Sequence, residues 1–196
     1  MKKLLLFIVI LSQGSLLCGM GPGVPVNLKS EHLENPLGID CATPRLSWQL
    51  GDSAPGARQK AYRIIVGTDS LRVQQDQGNM WDTRKTDSEK MLVSYGGKAL
   101  GPFTKYYWKV ITWDHQNKQA SAAIRTFETG MMSMDNWQGS WIKDNEDAGH
   151  KPAPYFRKEL ALDKKVKSAR AYIAAAGLYE LYLNGEKVGN HRLDPL

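Results

Sequence analysis

The side chains able to do acid–base chemistry fall in scattered groups. Glu31, Glu34 and Asp40 cluster near the N-terminus, and Asp82 and Asp87 flank a polar, turn-rich stretch. A general acid paired with a general base needs a cleft that drives the two carboxyl pKa values apart. Both groups sit instead in segments that read as solvated. The histidines His32, His115, His150 and His191 share no metal-ligand spacing with one another or with Cys41, which disfavours zinc. No Gly-x-Ser-x-Gly elbow and no phosphate-binding glycine loop occurs. Gly19, Gly21 and Gly23 alternate with no strand before them and no helix after, as in a flexible linker. No catalytic and no cofactor-binding residue is therefore assigned.

The elements available to position such groups are strands. The chain has 196 residues, 42% hydrophobic, 23% charged and 9% aromatic, a globular rather than a disordered composition. That length excludes a full α/β barrel of about 250 residues. Six Trp and eight Tyr suit an aromatic-rich β-sandwich core or a sugar-stacking surface. From Val24 to Gly130 the pattern alternates with period two between turn signals, predicting an all-β sandwich of low helix content. Leu46, Trp48 and Leu50 share one face, as do Tyr62, Ile64 and Val66. In the longest run, Tyr106, Trp108, Val110 and Thr112 oppose Tyr107, Lys109, Ile111 and Trp113. Asp114 to Asn117 supplies a turn, and Ala123 to Thr129 returns. A Trp in an early strand, Tyr-x-Ile-x-Val in the next, and Leu100-x-Pro-x-Thr-x-Tyr-x-Trp-x-Val110 resemble a fibronectin type III domain. Leu100, Pro102 and Tyr106 would then form its corner, the tyrosine hydroxyl closing onto nearby backbone. Trp48, Tyr106 and Trp108 read as core. Trp113 is the candidate for an exposed aromatic or a covered domain contact.

The ends and charges set the compartment. Lys2 and Lys3 precede the apolar run Leu4 to Leu11, too short for the ~20 residues of a membrane span and suited to a signal peptide. Cys18 stands where a bacterial lipoprotein carries its acylated cysteine, although Leu17 replaces the small residue usual before it. Cleavage between Gly19 and Gly23 is the alternative. The expectation is export to the periplasm or cell surface, with membrane attachment only through a lipid on Cys18. No disulfide scaffold is available. The net charge of +6 falls to about +4 without Lys2 and Lys3. The densest basic cluster, Lys164, Lys165, Lys167 and Arg170, reads as an exposed turn rather than a nucleic-acid patch.

After a short linker, Met131 to Asp135, a second module begins. Asn136 to Ile142, Pro154 to Leu160 and Ser168 to Gly189 predict about four strands, half of the eight in a double-sheet jelly roll. Asn184-Gly185 marks a type I′ hairpin. The expected organisation is 1–23 signal peptide and linker, 24–130 fibronectin type III-like sandwich, and 131–196 the incomplete start of a jelly roll. Half a sandwich exposes an apolar face and an unpaired edge, so the chain is expected to be the N-terminal part of a longer protein.

Val26-Asn-Leu-Lys-Ser-Glu-His-Leu-Glu-Asn-Pro-Leu-Gly-Ile-Asp40, followed by Pro44-Arg-Leu-Ser-Trp48, strongly resembles the opening of bacterial α-L-rhamnosidases of the large inverting type. Trp137-x-x-x-Trp-Ile142, Tyr155-Phe-Arg-Lys158 and Gly177-Leu-Tyr-Glu-Leu-Tyr-Leu-Asn-Gly-x-x-Val-Gly189 extend the resemblance to nearly all the mature chain. It implies an exported enzyme that removes terminal α-L-rhamnose from plant polysaccharides or glycosides. Its two catalytic glutamates would lie on a helical barrel C-terminal to Leu196, so none carries over. The rhamnose-containing glycan would be met by that missing domain, and the fragment itself is expected to be inactive. Some members of the family bind calcium in the second domain. The candidates here would be Glu180, Asn184, Glu186 and Asp194, although a turn with solvated carboxylates explains them more simply. Rival readings are a non-catalytic carbohydrate-binding or surface sandwich protein and an accessory part of a β-galactosidase-like glycosidase. The reading frame beyond Leu196 separates the three.

Overall fold

The computed structural model describes residues 23–52, 55–145, 153–167 and 169–190. The leader Met1–Leu17, Cys18, Gly19, Gly21, His150, Ser168, His191 and Asp194 lie outside the described residues. The chain divides into two compact units, Met1–Trp141 and Ile142–Leu196.

The first unit is built from strands whose alternation separates an inner from an outer face. On β2 (Arg45–Leu50) Leu46 and Trp48 are buried while Arg45 and Gln49 are exposed. β2 pairs antiparallel with β1 (Pro25–Ser30) on one side and β6 (Leu92–Ser94) on the other. The second sheet centres on β3 (Ala61–Gly67) and β7 (Lys105–Trp113), in register from Ala61↔Trp113 to Gly67↔Tyr107. The short β4 (Trp81–Asp82) and β5 (Thr86–Asp87) pair with the free edge of β3. A sheet of three strands packed against one of six, several of them only two to four residues long, makes the fibronectin type III-like sandwich that the pattern predicts.

Between the sheets, Leu28, Leu46 and Trp48 meet Tyr62, Ile64, Val66, Tyr106, Trp108, Val110 and Phe127. Each buried aliphatic or Phe side chain contributes roughly 1.5–3 kcal/mol. Trp48, Tyr106 and Trp108 are core, as expected. The corner also forms: the Gly101 N–H donates to the Tyr106 hydroxyl oxygen at 2.7 Å.

Two features depart from simple alternation. The return strand after the Asp114–Asn117 turn breaks into β8 (Gln119–Ser121) and β9 (Arg125–Glu128). Its register on β7 slips by one residue, from Ile111↔Ser121 to Trp108↔Arg125. A one-residue slip exchanges faces, which lets Ala122 and Phe127, of opposite parity, both enter the core. The outer face of β7 is also covered. Helix α1 (Ser70–Gln74) lays Val73 over Ile65 and Ile111, so these outward positions are buried. Asp69 starts the helix, its Oδ1 accepting from the N–H groups of Leu71 and Arg72 at 2.8 and 3.2 Å.

Gly23 is not linker. A Cβ there would meet the Asp52 backbone nitrogen at 2.2 Å, so glycine allows β1 to start flush against residues 51–52.

The second unit departs most from expectation. Among its described residues one hairpin forms, β10 (Tyr182–Leu183) with β11 (Glu186–Lys187). Asn184 and Gly185 take φ of 52° and 87°, as a type I′ turn requires. The strands predicted over 154–160 and 169–178 do not form, nor does the one predicted over 136–142 at the end of the first unit, where a 3-10 turn occupies Met134–Asn136. Strand patterning becomes a strand only when a second strand takes up its backbone groups. Tyr155, Leu160 and Leu178 remain exposed.

Candidate functional site

The N-terminal acidic motif works as a strap. Asn35 Oδ1 accepts the Thr126 N–H at 2.9 Å, Pro36 O accepts the Glu128 N–H, and Ile39 exchanges backbone bonds with Glu128 and Gly130. Ile39, 8% exposed, forms a parallel bridge with Thr129. Residues 35–39 thus cover an edge that β9 would otherwise present to solvent. Left-handed backbone at Glu31, His32 and Asn35 turns the chain into this path.

The carboxylates of the motif do not form a pair. Glu31 faces Arg45, whose Nη2 donates at 2.7 Å and whose backbone N–H donates at 2.6 Å. The guanidinium bonds, followed by the backbone bond, hold the Glu31 carboxyl at about 2. Asp40 Oδ1 accepts the Met132 N–H at 2.8 Å. Glu34 is exposed.

Asp82 is also occupied. Arg63 grips it with Nε and Nη2 donating to separate oxygens, both at 2.8 Å, and the Arg84 N–H donates at 2.9 Å. The Arg63 hydrogen bonds hold its carboxyl below the usual range, against desolvation. A carboxylate so engaged binds its proton too weakly to act as a general acid near neutrality. Asp87, opposite Ala61 on β5, is exposed.

Metal ligation finds no cluster. Among the described residues no group of three or more His, Cys, Asp or Glu side chains could hold an ion. His32, His115 and the free Cys41 are exposed. At the hairpin, Glu180 accepts from the Tyr182 hydroxyl at 2.8 Å and the Lys187 ammonium at 2.7 Å. Asn184 makes the turn and Glu186 is exposed. These groups are not gathered into the six to eight converging oxygens that calcium takes. Asp194 lies outside the described residues.

Sequence reasoning missed two buried polar residues. Gln59, 3% exposed, accepts from the Trp48 indole N–H at 2.9 Å. Its amide donates to Ser88 O and Lys90 O, binding three parts of the sandwich together. Lys109, 5% exposed, donates to Gln74 O at 3.2 Å and pairs with Asp76 beside α1. Nothing local in either sequence context signals these contacts. Trp113 is half-buried, with the Lys85 ammonium 5.1 Å from its ring centroid.

Residues 25–133 match the family described as the Rha78A-like, N-terminal immunoglobulin domain. Residues 164–196 match the alpha-L-rhamnosidase N-terminal domain. An alpha-L-rhamnosidase of Formosa agariphila is 34% identical, the alignment covering 88% of this chain and 20% of that protein. Another, from Streptomyces avermitilis, is 30% identical over 84% of this chain and 18% of its own length. The solved alpha-L-rhamnosidase from Dictyoglumus thermophilum superposes with a TM-score of 0.60 and 37% identity, covering 63% of this chain and 14% of that one. The Streptomyces avermitilis enzyme, solved with L-rhamnose, gives 0.58 and 35% over 61% of this chain and 12% of its own. The chain spans about a fifth of the length of the curated relatives it matches. With the sandwich of residues 25–133 and these identities in agreement, the chain belongs to the family of Rha78A-like N-terminal immunoglobulin domains of alpha-L-rhamnosidases.

Proposed function

We propose that this chain is the accessory N-terminal region of an exported α-L-rhamnosidase that hydrolyses terminal α-L-rhamnosides of plant polysaccharides or glycosides with inversion. The observation that carries this reading is the alignment over 84–88% of the chain to alpha-L-rhamnosidases of which it spans only 18–20%. The engagement of Glu31, Asp40 and Asp82 in structural contacts is consistent with chemistry performed elsewhere. Inversion needs one carboxylic acid to protonate the leaving oxygen and another, about 6.5–9.5 Å away, to activate water. That pair would belong to a domain beyond Leu196. The charged and apolar leader, Lys2 to Leu11, supports export to the periplasm or cell surface.

The test is hydrolysis of an aryl α-L-rhamnoside by the intact gene product beside the purified 196-residue chain, with the released anomer read by NMR. We expect turnover and inverted rhamnose from the intact protein and none from the chain. An intact product that leaves the rhamnoside untouched, or a chain that turns it over by itself, would overturn the proposal.

A further inference from the structure

Asp52 and residues 55–59 between β2 and β3, together with the turn after β7, line a cleft of about 240 Å³ at one end of the first unit. Asp52 and Arg58 line it from the first segment, Thr112 from the end of β7, and Asp114, His115 and Gln116 from the turn. Thr112 is 1% exposed, and its hydroxyl has no hydrogen-bond partner. A buried hydroxyl left unpaired costs folding free energy, and such a group in a cleft wall is explained by a ligand that completes it. Asp114 Oδ1 accepts the Lys118 N–H at 2.9 Å, and Asp52 Oδ2 accepts the Gly23 N–H at 3.3 Å. These bonds hold the two carboxylates in place at the rim.

The polar lining combines a guanidinium, an imidazole and the carboxamides of Gln59 and Gln116 with two carboxylates and a hydroxyl, beside the Trp113 indole. Donors and acceptors of both signs at close quarters suit a neutral molecule rich in hydroxyls, and disfavour a net anion or cation. The volume is below the range of drug-sized pockets and fits one ring. Loops at the end of a sandwich are free to carry recognition while the sheets hold them in place.

We propose that this cleft binds a single neutral monosaccharide unit of a glycan. The choice of a glycan rests on the rhamnoside-hydrolase reading above; the choice of a neutral polyol rests on the lining. The test is titration of the 196-residue chain with L-rhamnose, D-galactose and D-glucose, each followed by backbone-amide NMR. We expect saturable shifts with at least one sugar, confined to residues near 52–58 and 112–116. Arg58→Ala, at an exposed position, should weaken that binding about tenfold, and Thr112→Val by a smaller factor with the fold intact. No saturable shift from any of the three sugars overturns the inference, as do shifts elsewhere or binding unchanged in both variants. Binding of D-galactose or D-glucose without L-rhamnose supports the cleft and counts against the rhamnoside reading. Aryl α-L-rhamnoside hydrolysis by the intact protein carrying Arg58→Ala tests that reading separately.

Discussion

The Asp40 carboxylate accepts the backbone N–H of Met132 at 2.8 Å, across 92 residues of chain. The same oxygen lies 2.6 Å from where a Cβ on Gly130 would stand. Glycine at 130 is therefore what lets Asp40 close onto the segment that follows β9. Asp40→Ala should cost about 1–2 kcal/mol, the low end for a hydrogen bond to a charged group because Asp40 is exposed. Gly130→Ala should cost at least as much alone and markedly less in the Asp40→Ala background. Urea unfolding of both single variants and the double variant measures this coupling; strict additivity would refute it.

Tyr106 closes the corner through one bond, the Gly101 N–H to its hydroxyl at 2.7 Å, while its ring stacks on Phe127 at 5.2 Å between centroids. Tyr106→Phe retains the ring and orphans the amide. The expected loss is about 1–3 kcal/mol, that of a buried donor left unpaired. Thermal unfolding reads it, and amide exchange at Gly101 should accelerate. A variant as stable as the parent would show that water or another acceptor replaces the hydroxyl.

How much of this was legible follows from the range of each contact. The inner faces of β3 and β7 stand out because the apolar residues at every second position, Tyr62 to Val66 and Tyr106 to Val110, are all buried, even though α1 buries outer positions as well. Tyr106 could be placed because its partner is five residues away. α1 has five residues, too few for a helical period to appear, and it buries only Val73. The slip between β8 and β9 interrupts the alternation that would have located both strands. The Asp40 clamp and the loop-end cleft join residues distant in the chain, so no local pattern announces them. In the second unit a correct turn signal produced its hairpin, while extended patterning elsewhere did not pair.

Acid should weaken the strap through Glu31. Its carboxyl titrates at about 2 in the fold against an ordinary 4.5, chiefly because of Arg45. A depressed carboxyl stabilises above its unfolded pKa and loses that contribution as pH falls from 4.5 towards 2. The pair is partly exposed, 22% for Glu31 and 46% for Arg45, so solvent screening keeps the contribution small. Glu31→Gln should lower the urea midpoint at neutral pH and converge with the parent in acid. Parallel pH profiles for the two proteins would rule out this source of acid sensitivity.

The ion pair beneath α1 should respond unequally to loss of its two members. Lys109 is 5% exposed on the outer face of β7, whereas the Asp76 side chain is 45% exposed. Removing the Asp76 charge strands a buried ammonium with Gln74 O as its remaining acceptor on α1. Removing Lys109 leaves a carboxylate whose Oδ1 is buried but whose side chain is 45% exposed and can turn to water. Asp76 also sits at φ of 62°, so the substitution must tolerate left-handed backbone, which Asn does. Asp76→Asn should therefore cost about 2–3 kcal/mol, below the range for breaking a fully buried pair. Lys109→Met retains the packing of the stem and should cost under about 1 kcal/mol. Because Lys109 ties Gln74 to the sheet, both variants should speed amide exchange over residues 70–77, Asp76→Asn the more. Equal losses would mean that water enters beneath the helix and solvates the ammonium, and that Val73 alone holds α1 in place.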